Sequence, residues 1–443
     1  MSDQSAQVSE PVAPVTMPPA ESTLPAIHEA WLPKEHALHR PRHGGRQRFA
    51  LACAAIFFCT PLVSLGLGVR PAQIENHALA SFPSPARGWE FFTGLVPWAT
   101  DHLVYRENAI DLADSVSRGV FGEPPPLGGG QASAGPSGPI SFNVPKESNN
   151  ITVPAVIEGK DGWMYLGDDV LGRCRQNRAL SETLAQLRRL RDGVEASGRT
   201  FVLVVAPDKT TMVPQHLPDN YVGKDCARKV TDELWRLLSR EPFVVDMRDE
   251  LRVAGDRLGR PVYPPLDAHW GDEGGVEMAR ALAEKLHPGI SRSWVVSPRE
   301  PWRTSADLPP LIGRSGEIDG RYYAIRPGGL QEQATSPPTD FTRPTQLTSA
   351  TGPGKVTEKV GLLADSFTIR AMRYLAASFS DITVLHYGGV SKDYGWSAGE
   401  MLAWNKVVAV EVVERTLASG NSLLLEPNVV DGMLSVLSQH PMR

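Results

Sequence analysis

From residue 151 onward, short apolar runs alternate with longer stretches whose apolar positions recur every three or four residues. The runs FVLVVA (201–206) and KVGLLA (359–364) have the length and the polar boundaries of buried strands. The stretch RALSETLAQLRRLRDGVEAS (178–197) has the spacing of an amphipathic helix. Strands that alternate with helices predict an α/β fold whose mostly parallel sheet is covered by helices on both faces.

The same pattern predicts the remaining elements of this domain, which we place at 151–443. They are a hairpin in VIEGKDGWMYLGDD (156–169) with its turn at 160–162, helices over 226–240 and 271–286, strands in PFVVDMR (242–248) and ITVLHYGG (382–389), and a long helix through VVAVEVVERTLAS (407–419). Residues 299–355 interrupt the rhythm with many Pro, Gly and Thr. We expect an insertion there, with short antiparallel strands around GRYYAIRP (320–327).

An uncharged run of twenty-one residues, Phe49–Val69, is long enough to cross a membrane as a helix. The alternative is a cleaved signal peptide. The run begins nearly fifty residues into the chain and has no small-x-small site before Arg70, which favours an uncleaved anchor over 48–70. Residues 71–150 are expected to hold juxtamembrane helices followed by a Pro- and Gly-rich linker at 124–138.

Basic residues are concentrated before this run. Residues 1–47 are rich in Pro, Ala, Glu and Ser and predict a disordered tail. Five basic side chains lie just before the run and two soon after it, namely Lys34, Arg40, Arg42, Arg46 and Arg48, then Arg70 and Arg87. The positive-inside rule therefore predicts a single-pass protein of a bacterial cell membrane, with a cytoplasmic tail and a domain on the periplasmic or extracytoplasmic side. The net charge of -5, without a basic stripe, gives no indication of a nucleic-acid partner.

The four cysteines fall into two pairs. Cys53 and Cys59 lie inside the predicted anchor, so Cys174 and Cys226 are the pair in the outer region. An oxidising compartment would permit a disulfide between them. Two free, buried thiols are the alternative.

Candidate chemistry begins where the KVGLLA strand breaks onto Asp365 and Ser366. The carboxyl edge of an open α/β sheet is where ligands bind. The next stretch, IRAMRYLAASF (369–379), has helical spacing, so Ser366 would sit at a strand-to-helix turn whose free N–H groups favour negative charge. Such a serine is placed to be a nucleophile, although an Asp-Ser pair at a helix start also serves simply as a cap.

A second stretch, PPLDAHW (264–270), favours the nucleophile over the helix cap. If the proline-stiffened segment is extended, Asp267 and His269 point to the same side. A carboxylate that holds one imidazole nitrogen, while the other faces Ser366, is the arrangement of acyl transfer through a serine. A surface loop or half of a metal site is the alternative. Since no second His or Cys lies nearby at ligand spacing, we predict neither a metal nor a cofactor.

Three further residues are candidates for binding substrate. Lys209 follows the FVLVVA strand, Trp270 follows His269, and Arg370 lies one turn after Ser366. A lysine in this place is more often solvated, the tryptophan is as often packed in the core, and the arginine can simply face solvent.

With these residues in place, the sequence resembles the alginate O-acetyltransferase family of bacterial exopolysaccharide modification, which has an SGNH-hydrolase-like domain. Its matching stretches keep the family order over most of residues 70–420. They are ENHALASFP (75–83), DHLVYRENAI (101–110), GKDGWMYLG (159–167), VVAPDKTTMVPQHLP (204–218), DAHW (267–270), LLADSF (362–367) and VVAVEVVERTL (407–417).

The resemblance implies a membrane-anchored O-acetyltransferase. In it Ser366 would carry the acetyl group, His269 would be the base and Asp267 its orienter. The acceptor would be a polysaccharide hydroxyl outside the inner membrane, and a multi-spanning membrane-bound O-acyltransferase would supply the acetyl group. Two positions depart from the family pattern, with Ala364 in place of Gly and Ala268 in place of Thr.

Two rival functions remain open at this point. A carbohydrate acetylesterase would use the same serine, histidine and aspartate, with water in place of the sugar hydroxyl. A glycan-binding scaffold subunit that keeps the fold without catalysis is the non-enzymatic alternative. The intact Ser366, His269 and Asp267 argue against the scaffold.

Overall fold

The computed structural model describes residues 31–33, 35–36, 45–69, 82–85, 88–102, 104–105, 153–329 and 337–442. Several predicted features lie outside these residues: most of the tail at 1–47, the linker at 124–138, and most of the ENHALASFP and DHLVYRENAI stretches. The chain divides into two compact units, residues 1–69 and residues 70–443.

The described residues of the first unit include one long helix, α1 (Gly45–Gly66). Within it the 19 residues Arg48–Gly66 have a mean hydropathy of 2.1 and are long and apolar enough to cross a membrane. At about 1.5 Å per residue they span about 28 Å, close to the hydrocarbon thickness of about 30 Å. Large apolar side chains such as Phe49 and Phe58 are exposed along the helix. A membrane-spanning helix would place such side chains in lipid.

The second unit holds ten strands and the remaining helices of the described chain. The strands are β1 Val156–Glu158, β2 Met164–Leu166, β3 Thr200–Ala206, β4 Val244–Asp246, β5 Val295–Ser305, β6 Glu317–Arg326, β7 Thr345–Thr348, β8 Val356–Ala364, β9 Phe379–His386 and β10 Val407–Val413. The helices are α2 Trp89–Asp101, α3 Asp168–Cys174, α4 Leu180–Ala196, α5 Lys209–Met212, α6 Lys224–Leu238, α7 Arg248–Leu258, α8 Asp272–Leu286, α9 Met372–Ser378, α10 Trp396–Ala403, α11 Glu414–Ser419 and α12 Pro427–Gln439.

Six strands form the central sheet in the order β4-β3-β10-β8-β9-β7. Five of them are parallel, and β7 joins the edge antiparallel to β9. Alternate residues of β3 pack into different cores, with Val204 on the face covered by α8 and Leu203 on the face covered by α4 and α12. The predicted mostly parallel α/β sheet is therefore confirmed, with one antiparallel strand at its edge.

The prediction of a long helix over 407–419 is wrong for its first half. Residues Val407–Val413 form β10, the strand between β3 and β8, and all seven are buried. Consecutive valines pack well on a pleated surface and lose side-chain freedom in a helix. A strand buried on both faces also shows no alternation of polar and apolar positions. Only Glu414–Ser419 continues as a helix.

Two small hairpins lie outside the central sheet. Strands β1 and β2 form the hairpin predicted at 156–169. Strands β5 and β6 pair antiparallel, with a register shift between Pro298 and Pro301, and this confirms antiparallel strands around residues 320–327. Cys174 at the end of α3 and Cys226 in α6 are joined in a disulfide, with their Cα atoms 5.5 Å apart.

The site is positioned by the carboxyl edge of the sheet. Strands β3, β10 and β8 are neighbours and end at Ala206, Val413 and Ala364. The chain that follows each strand therefore reaches the same edge, where an open α/β sheet binds its ligands.

Candidate active site

Ser366 begins a turn of 3-10 helix, Ser366–Arg370, directly after β8. Regular α-helix starts only at Met372, later than the sequence pattern predicted. The capping bond comes from Asp365, whose Oδ1 accepts the backbone N–H of Phe367 at 3.0 Å. The capping role considered for the Asp-Ser pair thus falls to Asp365, which leaves the Ser366 hydroxyl for another partner.

That partner is His269. Its Nε2 lies 2.8 Å from the Oγ of Ser366, although the two residues are 97 positions apart in the chain. On the other side of the ring, Nδ1 lies 3.0 Å from Oδ1 of Asp267. The same oxygen of Asp267 accepts the backbone N–H of His269 at 2.9 Å. The structure thus brings the three predicted residues into one chain of carboxylate, imidazole and hydroxyl.

A second carboxylate, which the sequence did not reveal, lies on the same ring nitrogen. Oδ2 of Asp307 is 2.9 Å from Nδ1 of His269, and Oδ1 of Asp307 accepts the backbone N–H of Ala268 at 2.9 Å. Asp307 follows β5 in the stretch expected to be an insertion, where it is one acid in a Pro-rich segment. No local spacing connects it to His269, so only the folded chain identifies it.

The two carboxylates set the charge of the imidazole. Burial by itself would lower the pKa of His269, but hydrogen bonds and the charges of Asp267 and Asp307 outweigh it and raise this pKa to about 10. Burial and the nearby charge of Asp267 raise the pKa of Asp307 to about 6. Burial alone would raise the pKa of Asp267 as well, yet its bonds to His269 hold it below the usual range. Asp307 is therefore the acid that more readily takes a proton.

Donor atoms of Asp267, His269 and Asp307 lie within 4.8 Å of one another, close enough for a cation to touch all three. The spacings of 2.9 and 3.0 Å around Nδ1 fit hydrogen bonds without an ion. A cation on Nδ1 would also leave the ring proton on Nε2, and His269 would then be unable to accept a proton from Ser366. The prediction of a metal-free site stays a prediction.

Lys209 does not face the substrate side expected for it. The side chain is buried, and its Nζ donates to the backbone carbonyls of Pro264 at 2.7 Å, Pro265 at 2.8 Å and Asp267 at 3.0 Å. These bonds use all three ammonium hydrogens, so we correct the expected sugar contact to a role in holding the loop. Burial lowers the pKa of Lys209 to about 7.

Trp270 is likewise in the core and not at a sugar-binding surface. It is 1% exposed, and its Nε1 donates to the carbonyl of Phe367 at 3.0 Å. Its ring meets the ring of Phe367 edge to face at 5.0 Å. The expected contact with substrate is corrected accordingly, because Trp270 instead connects the histidine loop to the serine turn.

Arg370 is partly exposed, and its described contacts lie on neighbouring elements. The guanidinium carbon lies 4.0 Å from the centre of the Trp302 ring on β5, and a terminal nitrogen lies 4.0 Å from Asp272 at the start of α8. Contact between Arg370 and substrate remains a prediction.

Two buried acids, Glu411 and Asp365, hold the turn that carries Ser366 through hydrogen bonds. Glu411 on β10 accepts the backbone N–H of Asp365 at 3.1 Å and the hydroxyl of Thr368 at 2.9 Å. Asp365 in turn accepts the hydroxyl of Tyr387 and the backbone N–H of Val413, both at 2.9 Å. Burial and the charge of Asp365 raise the pKa of Glu411 well above its usual value, which favours the protonated form of this acid.

The position where the family pattern has Thr is apolar here for a visible reason. Ala268 is buried in a small cluster of apolar side chains under the loop. The other buried members are Val156, Met164, Leu308 and Ile312. A methyl group fits this cluster without an unpaired hydroxyl.

Part of the chain matches a known family model. Residues 156–305 match the family model described as "SGNH hydrolase-like domain, acetyltransferase AlgX". The matched segment includes Asp267 and His269 and ends before Asp307 and Ser366. The resemblance seen in the sequence motifs and the SGNH-hydrolase-like α/β fold class are confirmed.

Individual relatives carry names of the same kind. The chain is 29% identical over 193 residues to "Probable alginate O-acetylase AlgJ" of Pseudomonas syringae pv. tomato, which covers 42% of this chain and 47% of that protein. The match thus spans about half the length of this relative. Among solved structures, the O-acetyltransferase domain of Pseudomonas putida AlgJ is 16% identical with a TM-score of 0.41, covering 64% of this chain and 99% of that one. Pseudomonas aeruginosa AlgX is 14% identical with a TM-score of 0.43, covering 65% and 66%.

Proposed function

We propose that this chain is a membrane-anchored O-acetyltransferase that acts outside the cytoplasm. It moves an acetyl group through an acetyl-serine to hydroxyls of a cell-surface or secreted polysaccharide. The observation that carries the proposal is the continuous hydrogen-bonded chain from Asp267 through His269 to Ser366. The naming of relatives as alginate O-acetylases supports the acetyl group and the polysaccharide acceptor.

The geometry supports a two-step reaction. In the first step the Oγ of Ser366 bonds to the carbonyl carbon of an acetyl donor and its proton moves to Nε2 of His269. The bond from the acetyl carbon to the donor's leaving group then breaks, and the leaving group departs with that proton. In the second step a sugar hydroxyl attacks the acetyl-serine, gives its proton to Nε2, and Ser366 regains a proton as the ester forms. The backbone N–H of Ser366 has no acceptor among the described residues, and it is available to the oxyanion that forms in each step.

The test is to remove Ser366 and His269 separately and together. In full-length protein, Ser366→Ala and His269→Ala should each lower acetyl transfer on the order of 10⁴-fold or more, and the double variant should lose little beyond either, because the residues act as a unit. Intact-mass measurement with an activated acetyl ester should find one acetyl group, located on Ser366. Ser438→Ala, an exposed serine on α12, is the matched control. An acetyl label that persists in Ser366→Ala would refute the proposed nucleophile.

A carbohydrate acetylesterase is the second candidate, because water can replace the sugar hydroxyl in the second step. Product analysis at a fixed donor, with and without oligosaccharide acceptors, separates the two functions. A transferase should divert most acetyl groups from acetate to sugar as the acceptor concentration rises. Release of acetate that no acceptor reduces would favour the esterase. A glycan-binding scaffold is excluded if wild-type protein acetylates Ser366 and turns over.

The proposal also includes a partner on the membrane. An acetyl group that reaches the outer side must cross the bilayer, and the family resemblance implies a membrane-bound O-acyltransferase as the supplier. Co-expression of such a protein should increase polysaccharide acetylation only when Ser366 and His269 are intact.

A further inference from the structure

We propose that Asp307 is a positioning residue for the histidine base, and that the catalytic imidazole is held by two carboxylates and not by one. This inference rests on the proposed function, in which His269 takes the proton of Ser366. It adds a residue from outside the motif-bearing segments and gives the stretch after β5 a role in the chemistry.

The contacts of Asp307 are directed at the histidine loop from two sides. Its two carboxylate oxygens have different partners, the Nδ1 of His269 at 2.9 Å and the backbone N–H of Ala268 at 2.9 Å. The neighbouring N–H of Leu308 donates to the carbonyl of Leu266 at 3.2 Å. Three hydrogen bonds therefore connect residues 307–308 to the loop 266–269, which fixes both the ring and the backbone that carries it.

Asp267 and Asp307 divide the task between them. Asp267 lies in the loop itself and accepts the backbone N–H of His269 as well as Nδ1. Asp307 approaches the same Nδ1 from a segment that follows β5. Nδ1 carries one hydrogen, which the two carboxylates share, so rotation of the ring away from either of them weakens a charge-assisted hydrogen bond in a buried site. The Nε2 is thereby kept on the Oγ of Ser366.

The charged groups around the His269 ring determine how removal of Asp307 should change the pKa of the imidazole. Nδ1 faces Asp267 and Asp307, Nε2 faces Ser366, and from α5 the ammonium of Lys209 interacts with both acids. Each carboxylate favours the imidazolium form. Removing one of them should lower the pKa of His269, so the acidic limb of the pH profile should move to lower pH. A residue that only stabilised the fold would leave that limb in place.

The experiment compares Asp307→Asn with Asp319→Asn, a variant of an exposed acid on β6, in full-length protein. The rate of Ser366 acetylation by an activated acetyl ester is measured from pH 5 to 10. For Asp307→Asn we expect kcat to fall about 10- to 100-fold with little change in KM. The acidic limb should move down by about one pH unit or more. An unmoved limb with wild-type kcat, or a loss of rate that matches a loss of folded protein, would overturn the proposal.

An NMR measurement tests the same proposal without a measurement of activity. Of the 11 histidines, His269 is assigned by the signal lost in His269→Gln after labelling with ¹⁵N-histidine. A ring whose Nδ1 faces two carboxylates should keep its proton on Nδ1, and Asp307→Asn should shift this Nδ1–H resonance. An unshifted resonance would overturn the role of Asp307. Failure of Ser366 to become acetylated, with this signature present, would count against the proposed function alone.

Discussion

At the scale of single residues, the histidine loop depends on a buried amine. Transfer of an ammonium group into the protein interior is costly unless it is fully paired. The Nζ of Lys209 donates hydrogen bonds to three backbone carbonyls. The centres of the Trp163 and Tyr165 rings lie 5.0 and 5.2 Å from it. A neutral amine keeps two of the three hydrogens, so most of this support survives when the pKa of about 7 is passed.

Replacement of Lys209 should therefore affect catalysis more than binding. Lys209→Met removes the three donors at nearly constant length, and we expect kcat to fall about 10- to 100-fold because a loosened loop misplaces His269. The KM for donor and acceptor should change little. Steady-state kinetics of Lys209→Met beside Lys392→Met, an exposed lysine, gives the comparison. A raised KM with unchanged kcat would instead return Lys209 to the substrate contact expected from the sequence.

The residues of the site differ in how far the sequence could identify them. Asp267 and His269 are two apart, and Ser366 ends an apolar run, so local pattern is enough to select them. Asp307 and Glu411 reach the site through contacts with residues far away in the chain. Neither has a local pattern, because a single acid in a Pro-rich stretch or within a valine run has many other roles. The burial that excludes Lys209 and Trp270 from the surface is also a property of the folded chain only.

At the scale of elements, strand β10 connects the core to the site. Its valines pack on both faces of the sheet, and Glu411 is its one acid. Helices were predictable where apolar positions recur over many turns, as in α4 and α8. The run VVAVEVV leads directly into the helix ERTLAS, and sequence alone does not show that its two neighbours in the sheet are parallel strands. Pairing between distant strands therefore decided this element.

The raised pKa of Glu411 leads to a prediction about stability and pH. Its pKa in the folded protein is raised well above 4.5, so folding favours the protonated acid. The stabilising contribution is complete below pH 4.5 and is lost as the pH rises towards the folded-state pKa, because the unfolded chain ionises first. Glu411→Gln keeps a neutral group there. The free energy of unfolding of Glu411→Gln, relative to that of the wild type, should therefore increase by up to about 1.4 kcal/mol for each pH unit above 4.5.

Urea unfolding of both proteins at pH 5 and pH 7 measures this difference. The exposed Glu400→Gln on α10 serves as the control and should show no such divergence. A difference between Glu411→Gln and wild type that stays constant between the two pH values would mean that Glu411 is ionised in the folded protein. Since the amide accepts from Asp365 and Thr368 as the acid does, activity should be largely kept.

At the scale of the whole molecule, the helix α1 and the disulfide between Cys174 and Cys226 bear on which cellular compartment the protein occupies. The 19 residues Arg48–Gly66 have the length and hydropathy of a membrane span. Cys174 and Cys226 are joined in the second unit, and such a bond persists in an oxidising environment. The proposed acetylation of a polysaccharide outside the cytoplasm requires the same location. The helix and the disulfide therefore support the proposal that this domain lies outside the cytoplasm.

The orientation of the chain can be tested directly. Basic residues precede Phe49 and are sparse after Val69, so the end before α1 should stay in the cytoplasm. A reporter fused after residue 150 that works only outside the cytoplasm, such as alkaline phosphatase, should be active, and a cytoplasm-only reporter at the same place should be silent. Fusions after residue 47 give the control and should show the opposite pattern. Changing Arg46 and Arg48 to Glu should weaken the preference, because the rule depends on positive charge next to the span. Activity of the cytoplasm-only reporter after residue 150 would put Ser366 on the wrong side of the membrane for its proposed acceptor.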